Sequence, residues 1–239
     1  MDKPPRKRRK RRRTRAAATG LLVATTAYIA LAYGLAPEFW YLRDGARIDM
    51  PGAMITTTSD GIWGDPINVG LIGPREDVLR AFAAAGWNPA DAITLRTSLD
   101  IGLSVILDRP YADAPVSTLL YAGRPQDLAF QKADGTSPDR RHHVRFWNMT
   151  RPGMALWLGA ASFDKGVGVS HDTGQITHHI APDIDADRDL VVADLKAAGW
   201  IGSTTVVPGA GATTSGRNGG GDPYFTDGMA VVAVLETAP

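Results

Sequence analysis

Paired histidines are the residues of this sequence that most clearly suggest chemistry. Four of the five histidines occur as two adjacent pairs, at 142–143 and 178–179, and aspartates follow the second pair closely. Neutral imidazole and carboxylate together form a ligand set for zinc, iron or manganese. The candidate metal ligands are His178, His179, Asp183 and Asp185. The alternative is that each pair has one packed and one solvated histidine, both hydrogen-bonded.

Arginines cluster around the first histidine pair. The planar guanidinium group suits phosphate or carboxylate, so this cluster predicts an anion-binding site. The candidate residues are Arg124, Arg141, Arg145, His142 and His143. Alternation along an extended strand would put His143 and Arg145 on one face and His142 on the other. The alternative is that the arginines pair with nearby carboxylates such as Asp127 and Asp139.

The tripeptide Ser170-His171-Asp172 contains the residue types of a hydrolase triad. Adjacent residues of an extended chain point to opposite faces, so these three side chains cannot converge as nucleophile, base and orienting acid. This tripeptide therefore predicts a turn and no catalytic site.

An internal repeat positions the second histidine pair. Residues 75–87 match residues 188–200, and each copy has an acidic first turn, apolar residues at helical spacing and a closing Gly-Trp. Strand-like runs precede the copies, at 67–72 and 175–180, so we expect a duplicated β-α unit. Asp183 and Asp185 align with the uncharged Gly70 and Ile72 of the first copy. They are additional to what the unit requires, which favours a functional role.

The remaining patterns predict an α+β fold, with a mainly antiparallel sheet and about three helices. Residues 91–107 form the third helix candidate. Strands are expected at 142–149, 154–162, 167–170 and 228–235, with turns at 151–153, 164–166 and 171–174. Residues 202–222 contain seven glycines and are expected to form a mobile surface loop.

The charge of the 239-residue chain is divided unevenly. Ten of the 26 Lys and Arg lie in residues 1–15 against one acid, so this tract carries +9 while the remainder carries −8. With no cysteine, disulfide scaffolds, Cys-ligated metal centres and thiol nucleophiles are excluded. About 200 residues follow the basic tract and its apolar neighbour, enough for one hydrophobic core.

Residues 16–37 contain no charge, and a helix of this length spans roughly 30 Å. The positive-inside rule then predicts a basic cytoplasmic tail at 1–15, a transmembrane signal anchor at 16–37, a juxtamembrane linker at 38–60 and an extracytoplasmic domain at 61–239. The alternative is a cleaved signal peptide, since Ala30-Leu31-Ala32 has the form that a signal peptidase accepts. Beside such a span the basic tract indicates topology, and no nucleic acid is expected as a partner.

Several longer motifs resemble those of the LssY carboxy-terminal domain family. They lie at residues 115–117, 121–131, 141–147, 157–168 and 178–189, and the resemblance extends over about residues 65–235. It implies a bacterial, membrane-associated domain, named for an association with type I secretion, that often follows DedA-like or lipid-phosphatase membrane segments. This chain lacks the signatures of a phosphatidic-acid phosphatase, so that activity is not carried over.

Two hypotheses for function follow. The first is a single-pass protein of the bacterial inner membrane whose domain, outside the cytoplasm, binds an anionic lipid head group or a membrane partner. The second is a metal-dependent hydrolase of a phosphorylated or acylated envelope substrate, with a divalent metal as cofactor and Arg124 and Arg145 neutralising the anion.

Overall fold

A single long helix forms the N-terminus of the protein. The computed structural model describes residues 6–48, 54–90, 118–137, 139–209 and 214–236, with side chains of the first range from residue 12 to 43. The helix comprises α1 (Arg6–Ala30), a π-helical turn (Leu31–Leu35) and α2 (Ala36–Ile48). The stretch Arg12–Arg43 is long and apolar enough to cross a membrane. The expected apolar N-terminal helix is therefore present.

The helix extends beyond the segment expected to span. Residues 38–60 were expected to be an irregular linker, but they continue the helix to Ile48 and include a strand, Ile55–Thr58. The π turn ends two residues before Pro37, which has no backbone N–H to continue a regular helical ladder. The apolar side chains of the helix, among them Leu21, Leu22 and Leu35, are exposed, as suits contact with lipid.

An eight-stranded sheet forms the centre of the body. Its order is β11-β14-β3-β9-β8-β7-β4, and β10 pairs with β9. Among these described pairs only β14 and β3 run parallel. A four-stranded sheet has the order β2-β1-β5-β6, and β12 pairs with β13. The strands are β1 (Ile55–Thr58), β2 (Trp63–Pro66), β3 (Val69–Ile72), β4 (Asn88–Pro89), β5 (Leu119–Tyr121), β6 (Arg124–Pro125), β7 (Leu128–Ala133), β8 (Arg141–Asn148), β9 (Leu156–Val169), β10 (Ile176–Ile180), β11 (Ile201–Pro208), β12 (Ser215–Arg217), β13 (Pro223–Phe225) and β14 (Met229–Leu235).

Two helices, α3 (Arg75–Ala84) and α4 (Ile184–Ala197), cover one face of the large sheet. The core between them includes a parallel stack of Phe82 on Phe130, with ring centroids 4.0 Å apart. Val144 and Phe146 of β8 are fully buried in the same cluster. The centre of this face of the sheet is therefore a packed apolar core.

The duplicated β-α unit is present. Strand β3 precedes α3 and strand β10 precedes α4. Both helices end in the same way, with a left-handed glycine at φ 78°, Gly86 or Gly199. The following tryptophan then donates its backbone N–H to a carbonyl in the last turn of the helix. The two strands differ in position, since β3 lies inside the sheet whereas β10 pairs with β9 alone among the described strands.

Two local expectations are wrong. The turn expected at 164–166 is absent, because β9 runs unbroken for 14 residues. Its first half pairs with β3 and its second half with β10, so the ladder overrides the turn preference of Asp-Lys-Gly. The expected mobile loop at 202–222 contains β11 and β12, which pair with β14 and β13. The helix candidate at 91–107 lies outside the described residues.

Candidate ligand pocket

The two faces of β8 have different chemistry, as its alternation predicts. Val144 and Phe146 enter the helix-covered core, and His142 on the same face pairs with Asp187 of α4. His143 and Arg145 lie on the opposite face and line a cavity. Both are almost completely buried.

The cavity has a volume of about 330 Å³. Its walls come from the β1–β2 hairpin, strands β8 and β9, the β9–β10 hairpin and the turn at 218–220. The charged and imidazole side chains that line it are Asp60, Asp65, His143, Arg145, Asp164 and His178. Such a volume and a convergent polar lining are typical of a small-ligand site.

Two buried ion pairs form the base of the pocket. Arg145 Nη1 lies 3.2 Å from Asp65 Oδ2, and Arg141 Nε lies 3.0 Å from Asp164 Oδ2. Arg141 also donates a hydrogen bond of 2.8 Å to Gln131. Buried charges are tolerated only when paired in this way. The two pairs cancel, so the charge of the pocket depends on its histidines and on Asp60.

His143 lies between the ion pairs. Its Nε2 is 3.0 Å from Ser162 Oγ, and Ser162 donates its hydroxyl hydrogen to Asp65 Oδ2 over 3.3 Å. Nε2 must therefore carry the hydrogen that His143 donates to Ser162. The other ring nitrogen, Nδ1, is 3.3 Å from Asp164 Oδ1, which is an ion-pair distance. It makes no hydrogen bond to any described residue.

The surroundings of the pocket lower the pKa values of Asp164 and His178 for different reasons. Burial alone would raise the pKa of Asp164, but the charges of His143 and Arg141 hold that pKa far below its ordinary range. Burial lowers the pKa of His178 below its usual value, against the attraction of Asp164. At neutral pH the pocket thus contains an ionised carboxylate beside a neutral imidazole.

The structure divides the residues that the sequence suggested for anion binding. Arg145 and His143 line the pocket, and Arg141 pairs with Asp164 next to it. Arg124 is exposed, pairs with Asp127 at 3.1 Å and does not line the pocket. His142 lies on the other face of β8. The alternative of local pairing thus describes Arg124.

The four suggested metal ligands do not form one group. His178 lines the pocket, whereas His179 Nδ1 lies 2.8 Å from Asp222 Oδ1. Asp183 caps the N-terminus of α4 by accepting from two backbone N–H groups. Asp185 accepts from Arg188, Thr226 and the backbone of Asp227. A different group, His171, His179 and Asp222, has ligand atoms that all lie within 4.8 Å of one another.

Several of these residues have only weak signals in the sequence. Asp164 and Ser162 pair in register with Arg141 and His143, but the Asp-Lys-Gly segment indicated a turn. Asp222 belongs to the glycine-rich segment that was expected to be a loop. The turn predicted at His171 is present. The proximity of His171 to His179 and Asp222 has no local sequence signal, because the three residues come from separate segments.

The β9–β10 hairpin contacts the N-terminal helix. Tyr28 donates its hydroxyl hydrogen to the carbonyl of Gly174 over 2.9 Å, and Trp40 Nε1 donates to the carbonyl of Asp172 over 2.7 Å. The backbone N–H of Ile176 donates to the Tyr33 hydroxyl over 3.3 Å. The wall of the pocket is therefore in direct contact with the helix that could cross a membrane.

Fold and site together define an α+β domain that follows one potential membrane-spanning helix and encloses a buried polar pocket. The family model described as LssY C-terminus matches residues 47–230, most of the chain, so the protein belongs to that family. The resemblance seen in the motifs is confirmed. No curated protein and no solved structure matches the chain.

Proposed function

We propose that this protein is a single-pass envelope protein whose domain binds the head group of an anionic membrane lipid in the pocket. One observation carries the proposal. The pocket that contains Arg145, His143 and His178 shares a wall, the β9–β10 hairpin, with the docking site of the N-terminal helix. A head group in this pocket would still be attached to chains that lie in the bilayer.

The pocket can accept an anion because the two aspartates at its base are already paired with arginines and leave no net negative charge there. Arg145 and Arg141 neutralise Asp65 and Asp164, so a bound phosphate is stabilised when His178, whose pKa is lowered by burial, takes up a proton. His143 lines the same part of the pocket, next to Arg145 on β8. Arg145 supplies a guanidinium at the same surface.

The hairpin contacts support a position at the membrane surface. Tyr28 and Tyr33 belong to the uncharged stretch that a span needs, and both contact the hairpin. Val169 and Ile176, near the hairpin turn, are more than half exposed. Exposed apolar side chains beside interfacial tyrosines fit the lipid–water boundary.

The charge of the N-terminal tract supports the orientation. Ten basic residues precede the span, which by the positive-inside rule keeps residues 1–15 in the cytoplasm of a bacterium and the domain outside the inner membrane. The partner is then the bilayer itself, with another membrane protein as the alternative partner.

The ligand class is tested by titrating the full-length protein in detergent with dihexanoyl phosphatidic acid and with dihexanoyl phosphatidylcholine. We expect tighter binding of the anionic lipid and about tenfold weaker binding in Arg145→Lys, which keeps the charge but loses the planar fork. Arg124→Lys is the matched control and should bind normally, because Arg124 lies outside the pocket. Equal affinity for both lipids, or equal loss in both variants, would refute the proposal.

A second candidate function is hydrolysis of a phosphorylated or acylated substrate. The order Asp164–His143–Ser162 resembles the acid–base–hydroxyl order of hydrolases, although His143 donates to Ser162, Ser162 is fully buried and water would have to be the nucleophile. Release of phosphate or fatty acid from the same lipid, abolished by His143→Gln, would favour this function. Binding without turnover would favour the first.

A further inference from the structure

We infer that His171, His179 and Asp222 form a binding site for a divalent cation of the zinc class. None of the three lines the ligand pocket, and no sequence motif links the segments of His171 and Asp222. His179 belongs to β10, His171 to the β9–β10 turn and Asp222 to the segment before β13. The site goes beyond the proposed lipid-binding function and does not depend on it.

The spacing of the donor atoms fits one ion. Asp222 Oδ1 lies 2.8 Å from His179 Nδ1 and 3.5 Å from His171 Nε2, and all three atoms lie within 4.8 Å of one another. Ligands of a tetrahedral zinc ion, at bond lengths near 2.0–2.1 Å, are about 3.3 Å apart. Small side-chain adjustments therefore suffice, and two histidines with one carboxylate are a common zinc ligand set.

The surrounding structure holds Asp222 in place. Its side chain is buried, and Oδ2 accepts the backbone N–H of Ile180 over 3.1 Å, which leaves Oδ1 directed to the two imidazoles. Asn218 Oδ1 accepts the N–H groups of both Gly220 and Asp222 and so fixes the turn that carries the carboxylate. Outer hydrogen bonds of this kind orient the ligands of metal sites.

A glycine makes room for His179. A Cβ atom at residue 168 would overlap Nε2 of the His179 ring, so the ring can lie against β9 only because residue 168 is glycine. The ring centroids of His171 and His179 are 5.0 Å apart. His179 Nδ1 and Asp222 Oδ1 lie at a hydrogen-bond distance of 2.8 Å, so a cation would replace this hydrogen bond with bonds from both atoms to the ion.

A bound cation would link two segments that form one wall of the pocket. The backbone N–H of His171 already donates to the carbonyl of Gly220 over 3.0 Å. Gly219 and Gly220 line the pocket, as do Ser170 and Thr173 of the hairpin turn. An ion shared by His171 and Asp222 therefore links the hairpin to the 218–222 turn at the edge of the pocket.

The test is zinc binding by the full-length, chelator-treated protein in detergent, measured by competition with a chromogenic chelator. We expect one zinc per chain, and binding weakened about tenfold or more in His171→Ala, whose side chain is exposed enough for the fold to tolerate the change. His142→Ala is the matched control, because His142 also pairs with an aspartate but on the far side of the sheet. It should bind zinc normally.

A second pair of variants tests the geometry without removing a ligand. Gly168→Ala should weaken zinc binding by displacing His179, while Gly166→Ala on the same strand should not, since its Cβ would meet only Asp139 Oδ2 at 3.5 Å. Cobalt should give an intense visible spectrum in the wild type that is absent in His171→Ala. Absence of stoichiometric zinc, or equal loss in His142→Ala, would overturn the site. Lipid binding by zinc-free protein would show that the pocket proposal survives on its own.

Discussion

At the scale of single residues, adjacent side chains of the same type have different roles. Arg141 is buried against Asp164 and Gln131, whereas its neighbour Arg140 forms a partly exposed pair with Asp134. His142 pairs with α4, whereas His143 lines the pocket. Strand alternation explains the division of the histidines, because consecutive residues of β8 face opposite sides of the sheet, whereas Arg140 lies just before β8.

The two arginines give a stability prediction. Arg141→Ala leaves Asp164 buried beside an empty space and should lower the free energy of unfolding by about 3–5 kcal/mol. Arg140→Ala removes only a surface pair and should cost less than about 1 kcal/mol. Denaturant unfolding of the full-length protein in detergent measures both. A similar loss in the two variants would contradict the assignment of Arg141 to the buried network.

His178 gives a prediction about pH. Because burial lowers its pKa, His178 is neutral at neutral pH, and a bound anion favours its protonated form. Affinity for phosphatidic acid should therefore rise as pH falls from about 7.5 to about 5.5, by at most about tenfold per pH unit for one proton. The rise should be smaller in His178→Asn and unchanged in His142→Asn. Without ligand, His178 makes the folded protein less stable as pH falls. In the unfolded protein His178 takes up a proton near pH 6.5, whereas in the folded protein it stays neutral to lower pH, so stability decreases below about pH 6.5.

At the scale of elements, one buried asparagine joins strand, strand and helix. Asn68 precedes β3, donates to the carbonyls of Ala161 in β9 and Ile184 in α4, and accepts from the N–H of Ala161. Both polar atoms of its side chain are hydrogen-bonded, and the residue is completely buried. It therefore holds the start of α4 to the two central strands.

Replacing this asparagine should be costly. Asn68→Ala removes the side-chain partner of the buried N–H and carbonyl of Ala161 and one hydrogen bond to the Ile184 carbonyl, and we expect a loss of about 2–4 kcal/mol in the free energy of unfolding. Asn148→Ala, which removes only an exposed bond to the Thr150 N–H, is the control and should change stability by less than about 1 kcal/mol. Thermal unfolding of both variants would distinguish them, and equal melting temperatures would contradict this role.

The elements were predictable where local pattern and packing agree. The two Gly-Trp helix ends and the alternating β8 were evident because their signals lie within a few residues. The turn at 164–166 and the loop at 202–222 were mispredicted because long-range pairing with β10 and β14 outweighs local turn preference. For the same reason only part of the pocket could be predicted. His143 and Arg145 share strand β8, but Asp65 and Asp164 belong to β2 and β9.

At the scale of the whole molecule, the domain contacts the N-terminal helix through side chains as well as through the covalent connection. Ala32 is buried, in contrast to the exposed residues around it, and lies against the hairpin turn near Gly174. Together with the bonds from Tyr28 and Trp40, this contact holds the pocket wall beside the helix. If the helix spans a bilayer, the hairpin lies at its surface.

The cysteine-free chain allows a simple test of that position. A polarity-sensitive fluorophore at Ile176→Cys should shift to the blue in liposomes and be quenched by spin-labelled lipid. Val206 is also exposed and β-branched but lies on the edge strand β11, separated from β9 by β14 and β3, so the fluorophore at Val206→Cys should report water. Identical emission from the two sites would contradict a membrane-facing hairpin.

The central claim, that an anionic head group occupies the pocket, is tested most directly by NMR of histidine side chains in the full-length protein. Titration with dihexanoyl phosphatidic acid should move the ring signals of His143 and His178, which line the pocket, and shift His178 toward the protonated form. The signals of His142, on the other face of β8, should stay in place, and phosphatidylcholine should move none of them. Unchanged signals of His143 and His178 at saturating phosphatidic acid would contradict the account.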